Sequence, residues 1–196
     1  MRITGGRARG IRVRVSARGV RPATDRMREA VFSSLAGCFA GGRFLDLFAG
    51  SGAYGLEAWS RGAACGDFVE NHGRVASLLT ENIRDVARSL DLEASMCRVW
   101  RSDVLRWEPE HPGLYSLVFA DPPYAEGERL VPEIFRRVGR WAACAETTRL
   151  VLELPGAIEP AIPEGWRVVR SLGKGIGDPS VRILLRVPHC QSAAHG

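Results

Sequence analysis

The run Phe44-Leu45-Asp46-Leu47-Phe48-Ala49-Gly50-Ser51-Gly52-Ala53-Tyr54-Gly55-Leu56-Glu57-Ala58-Trp59 decides the fold. It begins as an apolar strand, turns through a glycine-rich loop and continues as a helix, which is the opening of a βαβ unit. Gly50, Gly52 and Gly55 match the G-x-G-x-x-G spacing, in which missing β-carbons permit a tight turn and let a nucleotide-like ligand approach the backbone. Many dinucleotide sites share that spacing, so the choice of ligand rests on Asp46. A carboxylate beside a pyrophosphate repels it by roughly 1 to 4 kcal/mol at effective dielectrics between water and protein, whereas a cationic ligand is welcome there.

S-adenosylmethionine carries a sulfonium and an ammonium and has no phosphate, so it suits a glycine loop flanked by acid. Two further acids fall where the repeat predicts the ends of later strands. Glu70 closes Gly66-Asp67-Phe68-Val69-Glu70, twenty residues after Gly50, the distance at which an acid commonly meets a ribose hydroxyl. Asp103 ends Cys97-Arg98-Val99-Trp100-Arg101-Ser102-Asp103 and is placed to accept from an adenine amine. With Asp121, these acids lie at or just past the carboxyl ends of successive predicted strands, where ligands bind in open α/β sheets.

Asp121-Pro122-Pro123-Tyr124 follows the apolar run Leu117-Val118-Phe119-Ala120. An amine conjugated to an aromatic ring is a poor nucleophile, so a catalyst must position it and favour a partly pyramidal transition state. Asp121 and a proline carbonyl offer acceptors for its hydrogens. Pro122 and Pro123 fix φ and carry no N–H, and Tyr124 supplies a stacking face. Taken alone, the same four residues also describe a proline turn that ends a strand.

The rest of the chain continues the α/β alternation. Residues 1–15 alternate around a glycine-rich turn and predict a small hairpin. Thr24 or Asp25 can cap a helix whose apolar stripe is Val31, Phe32, Leu35 and Phe39, running to Gly41-Gly42. Val75, Leu78, Leu79, Ile83, Val86 and Leu90 mark a second amphipathic helix, with Asn82 read as structural. Strands are expected over 115–120, 150–154, 166–171 and 181–187, with a helix over 128–145. The expected fold is α/β: a seven-stranded, mostly parallel sheet with helices on both faces and a small N-terminal extension. The expected division is an extension over 1–40, a catalytic domain over 41–188 and a flexible tail over 189–196. Residues 173–179 read as a hairpin turn that could touch a polyanion through Lys174.

At 196 residues and 45% hydrophobic content the chain can bury a substantial core. No apolar run is long enough to span a bilayer and the basic start lacks a signal-peptide core, so a cytoplasmic location is expected; a monomer is expected as well. The five cysteines are scattered without a C-x-x-C pair and read as reduced, mostly buried residues. The four histidines are equally dispersed, and no metal site is expected.

The net charge is +5, and Lys174 is the only lysine. Before residue 29 lie Arg2, Arg7, Arg9, Arg12, Arg14, Arg18, Arg21, Arg26 and Arg28, against Asp25 alone. Arginine forks bind phosphate bidentately and stack on bases, so this block favours a polyanionic partner. The candidate RNA contacts are Arg7, Arg9, Arg21, Arg26 and Arg28. Arg26 or Arg28 could equally meet a cofactor carboxylate or join a surface salt bridge.

Taken together, the chain resembles the RsmD-type methyltransferases. The resemblance is carried by Met1-Arg2-Ile3-Thr4-Gly5-Gly6-Arg7-Ala8-Arg9-Gly10, by Arg21-Pro22-Ala23-Thr24-Asp25-Arg26-Met27-Arg28-Glu29-Ala30-Val31-Phe32, by residues 46–53, 55–58 and 60–63, and by Asp121 to Tyr124. It implies a class I methyltransferase that uses S-adenosylmethionine to modify the N2 amine of a guanine in 16S ribosomal RNA, in the small ribosomal subunit. It further implies that Asp46, Gly50 and Gly52 hold the methionine end of the cofactor, Glu70 the ribose and Asp103 the adenine, with Phe48, Ser51, Asn71 and Asp121 also at the cofactor site, and that Asp121, Pro122, Pro123 and Tyr124 form the catalytic corner; Asn71 stands where the family often has an acid. Tyr54 and Trp59 stand where the family more often has leucines, which reads as helix repacking. A DNA adenine-N6 methyltransferase, a noncatalytic RNA-binding assembly factor and a nicotinamide-dependent oxidoreductase remain as rival readings.

Overall fold

The computed structural model describes residues 1–16, 24–35, 37–141, 147–173 and 178–187. Its elements, in chain order, are α1 (Asp25–Ser34), β1 (Arg43–Leu47), α2 (Ala53–Ser60), β2 (Cys65–Val69), α3 (Gly73–Leu90), β3 (Cys97–Trp100), β4 (Tyr115–Ala120), α4 (Gly127–Trp141), β5 (Arg149–Pro155), β6 (Trp166–Leu172) and β7 (Pro179–Arg186). The strands form one sheet in the order β3-β2-β1-β4-β5-β7-β6. β1 to β5 pair in parallel, and β7 runs antiparallel to both of its neighbours. The chain builds outward from β1 to β3 and then returns to lay β4 beside β1. That reversal opens a crevice at the carboxyl ends of β1 and β4.

Apolar runs became strands here because both faces of the sheet are covered. Phe44, Phe68, Leu117 and Phe119 face a core made with α1, α2 and α3. Leu45, Leu47, Val118 and Ala120 face a second core made with α4. Among the described residues no helix is long and apolar enough to cross a membrane.

The N-terminal hairpin forms around an antiparallel bridge between Arg2 and Arg12, with Ile3 N–H donating to Ile11 O at 3.0 Å and Val13 N–H to Met1 O at 3.1 Å. Ile3, Ala8 and Val13 belong to the core under α2 and α3. Gly6 is where the hairpin lies closest to α2: its φ is +77°, and a β-carbon there would sit 2.0 Å from Ser60 O. Buried Glu57 accepts from both Thr4 N–H (2.8 Å) and Thr4 Oγ1 (2.7 Å). The Thr4-Gly5-Gly6 stretch is therefore a docking seam.

Several boundaries differ from expectation. Thr24 is the N-cap of α1, its Oγ1 accepting from Met27 N–H at 3.2 Å, but the helix ends at Ser34 instead of running to Gly41. A turn takes over, with Gly37 at φ +81° and Cys38 N–H donating to Leu35 O. Phe39 still reaches the same core, edge-on to Phe32. β3 stops at Trp100, short of Asp103, because the Asp103 carboxylate accepts from Leu105 N–H at 2.7 Å and closes a turn. Of the three cysteines among the described residues Cys97 is buried, Cys65 is half-buried and Cys38 is exposed, while Cys144 and Cys190 lie outside them. The proposed extension of α4 to residue 145, the Lys174 turn and the tail lie outside the described residues.

Candidate active site

The crevice holds a cavity of about 340 Å³. The glycine loop contributes Phe48, Ala49, Gly50 and Ser51, and the proline corner contributes Asp121 and Pro123, so the two motifs open onto one space. Glu70, Asn71 and His72 line it from the end of β2, and Ser102 to Leu105 from the turn after β3. Among the described residues five acids border the cavity, Asp46, Glu70, Asp103, Asp121 and Glu126, against one arginine, Arg129.

Each acid is held differently. Asp46, on β1, is buried and accepts from Gly55 N–H at 2.9 Å. Burial pushes its carboxyl up to about 8, against the opposing pull of the Gly55 N–H and reinforced by the charge of Glu70. Gly55 lies so close to the sheet that a β-carbon would meet Phe68 at 2.4 Å, and this closeness brings its N–H to Asp46. Glu70 braces the loop itself, accepting from Gly50 N–H at 2.9 Å and His72 N–H at 2.8 Å. Asn82, buried on α3, ties Ser51 O to the hairpin by bonding both the N–H and the C=O of Arg14.

Three sequence candidates do not face the cavity as simple ligands would. Gly52 adopts φ +83° and presses against Leu79, where a β-carbon would lie 2.5 Å from Cδ1, so it shapes the loop from behind. Pro122 is buried and Tyr124, at 36% exposure, begins a short turn outside the cavity lining. The Pro123 carbonyl is occupied by Glu126 N–H at 2.8 Å. The Pro122 carbonyl accepts none of the backbone hydrogen bonds found among the described residues.

Asp121 sits at the end of β4 with its Oδ1 buried and without a hydrogen-bond partner. Burial, then the charges of Glu153 and Asp46, hold its carboxyl well above the usual range. Glu153 was missed from sequence, although an acid inside Leu150-Val151-Leu152-Glu153-Leu154 was a visible signal. It lies on β5, one step beyond the Ala120–Leu152 pair and therefore level with Asp121. Tyr54 is more than helix repacking: it lines the cavity, stacks on Phe119 (5.1 Å, 16°) and donates to Glu153 Oε2 at 2.6 Å. Among the described residues no group of three or more His, Cys, Asp or Glu is placed to hold a metal ion.

The arginine block divides. Arg7, Arg9 and Arg26 are exposed, and Arg21 lies outside the described residues. Arg28 must be corrected: at 1% exposure it cannot grip a phosphate, because its guanidinium is drawn inward by Arg2 O and Asp25, both at 2.7 Å. It ties α1 to the hairpin.

Known proteins are similar to this one along nearly the whole chain. The family model described as Conserved hypothetical protein 95 matches residues 1–182. Ribosomal RNA small subunit methyltransferase D of Escherichia coli K12 is 32% identical over 197 residues, covering 99% of this chain and 94% of that protein. The solved structure of the Escherichia coli protein yhhF superimposes with a TM-score of 0.79 at 33% identity, covering 95% of this chain and 98% of the other. An RNA methyltransferase from Salinibacter ruber, solved with S-adenosyl-L-homocysteine, shares the fold at a TM-score of 0.60 with 15% identity, covering 86% of this chain and 94% of the other. With the hairpin seam, the glycine loop and the proline corner all inside the matched span, the chain belongs to the Conserved hypothetical protein 95 family, that of the RsmD-type methyltransferases.

Proposed function

We propose that the protein is an S-adenosylmethionine-dependent methyltransferase that modifies small-subunit ribosomal RNA, at the exocyclic N2 amine of a guanine. One observation carries the reading: the glycine loop and the Asp121 corner share a single acid-lined cavity. The excess of carboxyls over cations there favours a cationic cofactor and disfavours a pyrophosphate. The cavity also falls in the range of small-molecule sites. When bound, S-adenosylmethionine supplies an electrophilic methyl carbon. Asp46, Gly50 and Ser51 would hold its methionine end, Glu70 and Asn71 the ribose, and Asp103 the adenine.

At the other end, Asp121 and the Pro122 carbonyl accept the hydrogens of the target amine and orient its lone pair. With the donor bound, its methyl carbon would pass to the amine nitrogen as the C–S electron pair is left on sulfur, and the nitrogen would then lose a proton to water, so Asp121 and the Pro122 carbonyl are needed to orient the amine and not to carry a covalent intermediate. Alignment of the two reactants supplies most of the acceleration, up to roughly 7 to 11 kcal/mol. Acceptor oxygens aimed at the amine favour the positive charge that develops on nitrogen. The base must leave its stack to reach this corner, where Tyr124 is a replacement stacking face.

The exposed hairpin arginines supply the RNA grip. Arg7 donates to Leu90 O at 2.7 Å, at the far end of α3 from Val75, which lines the cavity. At 1.5 Å per residue that separation is roughly 20 Å, so Arg7 and Arg9 would hold phosphates several nucleotides from the target. The same arginines and the ribosomal relatives support RNA over DNA as substrate. Asp121→Ala should lower turnover at least roughly a hundredfold while leaving cofactor affinity nearly unchanged. Full turnover in that variant would remove Asp121 from the reaction.

A further inference from the structure

The mechanism above uses Asp121 and leaves Glu153 without a task, although Glu153 is 1% exposed in the middle of the sheet. A buried acid of this kind is retained at a cost unless it is fully partnered or serves a function. Elsewhere in the same sheet Asp67 shows what full partnering looks like. Its oxygens accept from Arg43, Tyr115 and Trp100 at 2.7 to 2.9 Å. Glu153 differs: Oε2 accepts from Tyr54, but Oε1 is buried with no partner. Asp121, its neighbour across the β4–β5 ladder, has the matching defect at Oδ1.

Two carboxyls at one level of adjacent strands, each with a buried and unpartnered oxygen, oppose each other's ionisation. The groups around them decide which one keeps the proton. Burial raises the Glu153 carboxyl as well, but two groups pull against it: Tyr54 from α2 donates to Glu153, and the Arg28 cation from α1 favours its charged form. Asp121 faces the opposite field, with Asp46 on β1 and Glu153 on β5 both resisting its ionisation. Tyr124, on the turn after β4, feels the same two acids, Glu153 and Asp121, and stays neutral.

Resting on the methyltransferase reading, we propose that Glu153 is a positioning residue that acts through Asp121: Glu153 carries the negative charge, and Asp121 works as a neutral acid whose carbonyl oxygen accepts from the target amine. The arrangement separates two duties. Glu153 supplies the electrostatic field that favours a positive nitrogen, and Asp121 supplies geometry. An amide at position 121 would copy the second duty, having one carbonyl acceptor and an NH2 group, with two donors, in place of the acid's hydroxyl.

The test uses the full chain in two arms. In the cofactor-free protein, carboxyl carbon NMR should show Asp121 protonated through neutral pH, and Glu153→Gln should lower its midpoint by roughly one pH unit or more. An Asp121 that titrates in the ordinary carboxylate range, or that does not move in Glu153→Gln, overturns the proposal. Tyr54→Phe, which removes the donor without touching either acid, should raise the Glu153 midpoint, and no change there also counts against it. In the second arm, methyl transfer to small-subunit RNA is compared across position 121. Asp121→Asn should lose no more than about tenfold and Asp121→Ala at least about a hundredfold. Equal losses in the two variants, with cofactor affinity intact, would refute the neutral-acid role. A wild-type protein that transfers no methyl to any RNA refutes the enzymatic reading instead, and leaves the NMR result to stand or fall by itself.

Discussion

Asp46→Asn should make the cofactor-free protein more stable and the enzyme unable to bind its cofactor well. The carboxyl is buried beneath the glycine loop with one hydrogen bond, from Gly55 N–H, and burial raises it to about 8 from an ordinary 3.8. The folded chain therefore keeps a proton that the unfolded chain has already lost between those two values. Stability is fully present below the ordinary value and declines as pH climbs through this window. At pH 7 the difference corresponds to about 4 kcal/mol at 1.36 kcal/mol per pH unit, and allowing for relaxation about half of it should be recoverable. Asparagine keeps the acceptor for Gly55 and never ionises, so it escapes that loss. For a chain of this length, about 2 kcal/mol raises the melting temperature by roughly 4 to 8 °C. Thermal unfolding of both proteins should give nearly equal midpoints at pH 4 and a gap that widens steadily to pH 8, in favour of Asp46→Asn. A gap that is independent of pH, or that closes as pH rises, would refute the reasoning.

Cofactor affinity in the wild type should weaken by roughly tenfold for each pH unit below about 8, as Asp46 takes up its proton, and titration calorimetry of Asp46→Asn should give a flat, weak profile over the same range. Gly6→Ala places a β-carbon against Ser60 O at a left-handed φ and should cost about 1 to 3 kcal/mol, read by denaturant unfolding; an unchanged midpoint would show that the hairpin does not dock at this seam. Thr24→Ala removes the cap of α1 and should cost about 1 kcal/mol in the same assay. RNA affinity should fall steeply with salt, and charge removal at Arg9 and Arg26 should flatten that slope, whereas an unaltered slope would place the RNA on another face.

The parts of the fold that could be read in the sequence are those where one force dominates. β1, the glycine loop and α2 follow from an apolar run that needs cover on both faces, then a loop whose glycines fit only a close turn. α3 follows from its apolar stripe at helical spacing. Asp46, Glu70, Asp103 and Asp121 were found because the βαβ repeat fixes where strands end, and all four line the cavity. What escaped notice depends on contacts distant in sequence. Arg28 looks like its exposed neighbour Arg26, and only the packing of α1 on the hairpin turns it inward. Glu153 and Asp67 are both buried acids in apolar strands, and nothing local distinguishes the partnered one from the one with an unpartnered oxygen. Tyr54 passed for a packing change because its hydrogen-bond partner lies ninety-nine residues away.

The central claim is that the glycine loop and the proline corner bring a methyl donor and a guanine amine together. The direct measurement incubates the protein with isotope-labelled S-adenosylmethionine and, separately, naked 16S RNA, unmethylated small subunits and duplex DNA, then identifies the labelled nucleoside by mass spectrometry. Label in N2-methylguanosine from RNA or subunits, absent with Asp121→Ala, is the predicted result. Label in DNA adenine, or in another RNA nucleoside, would contradict it.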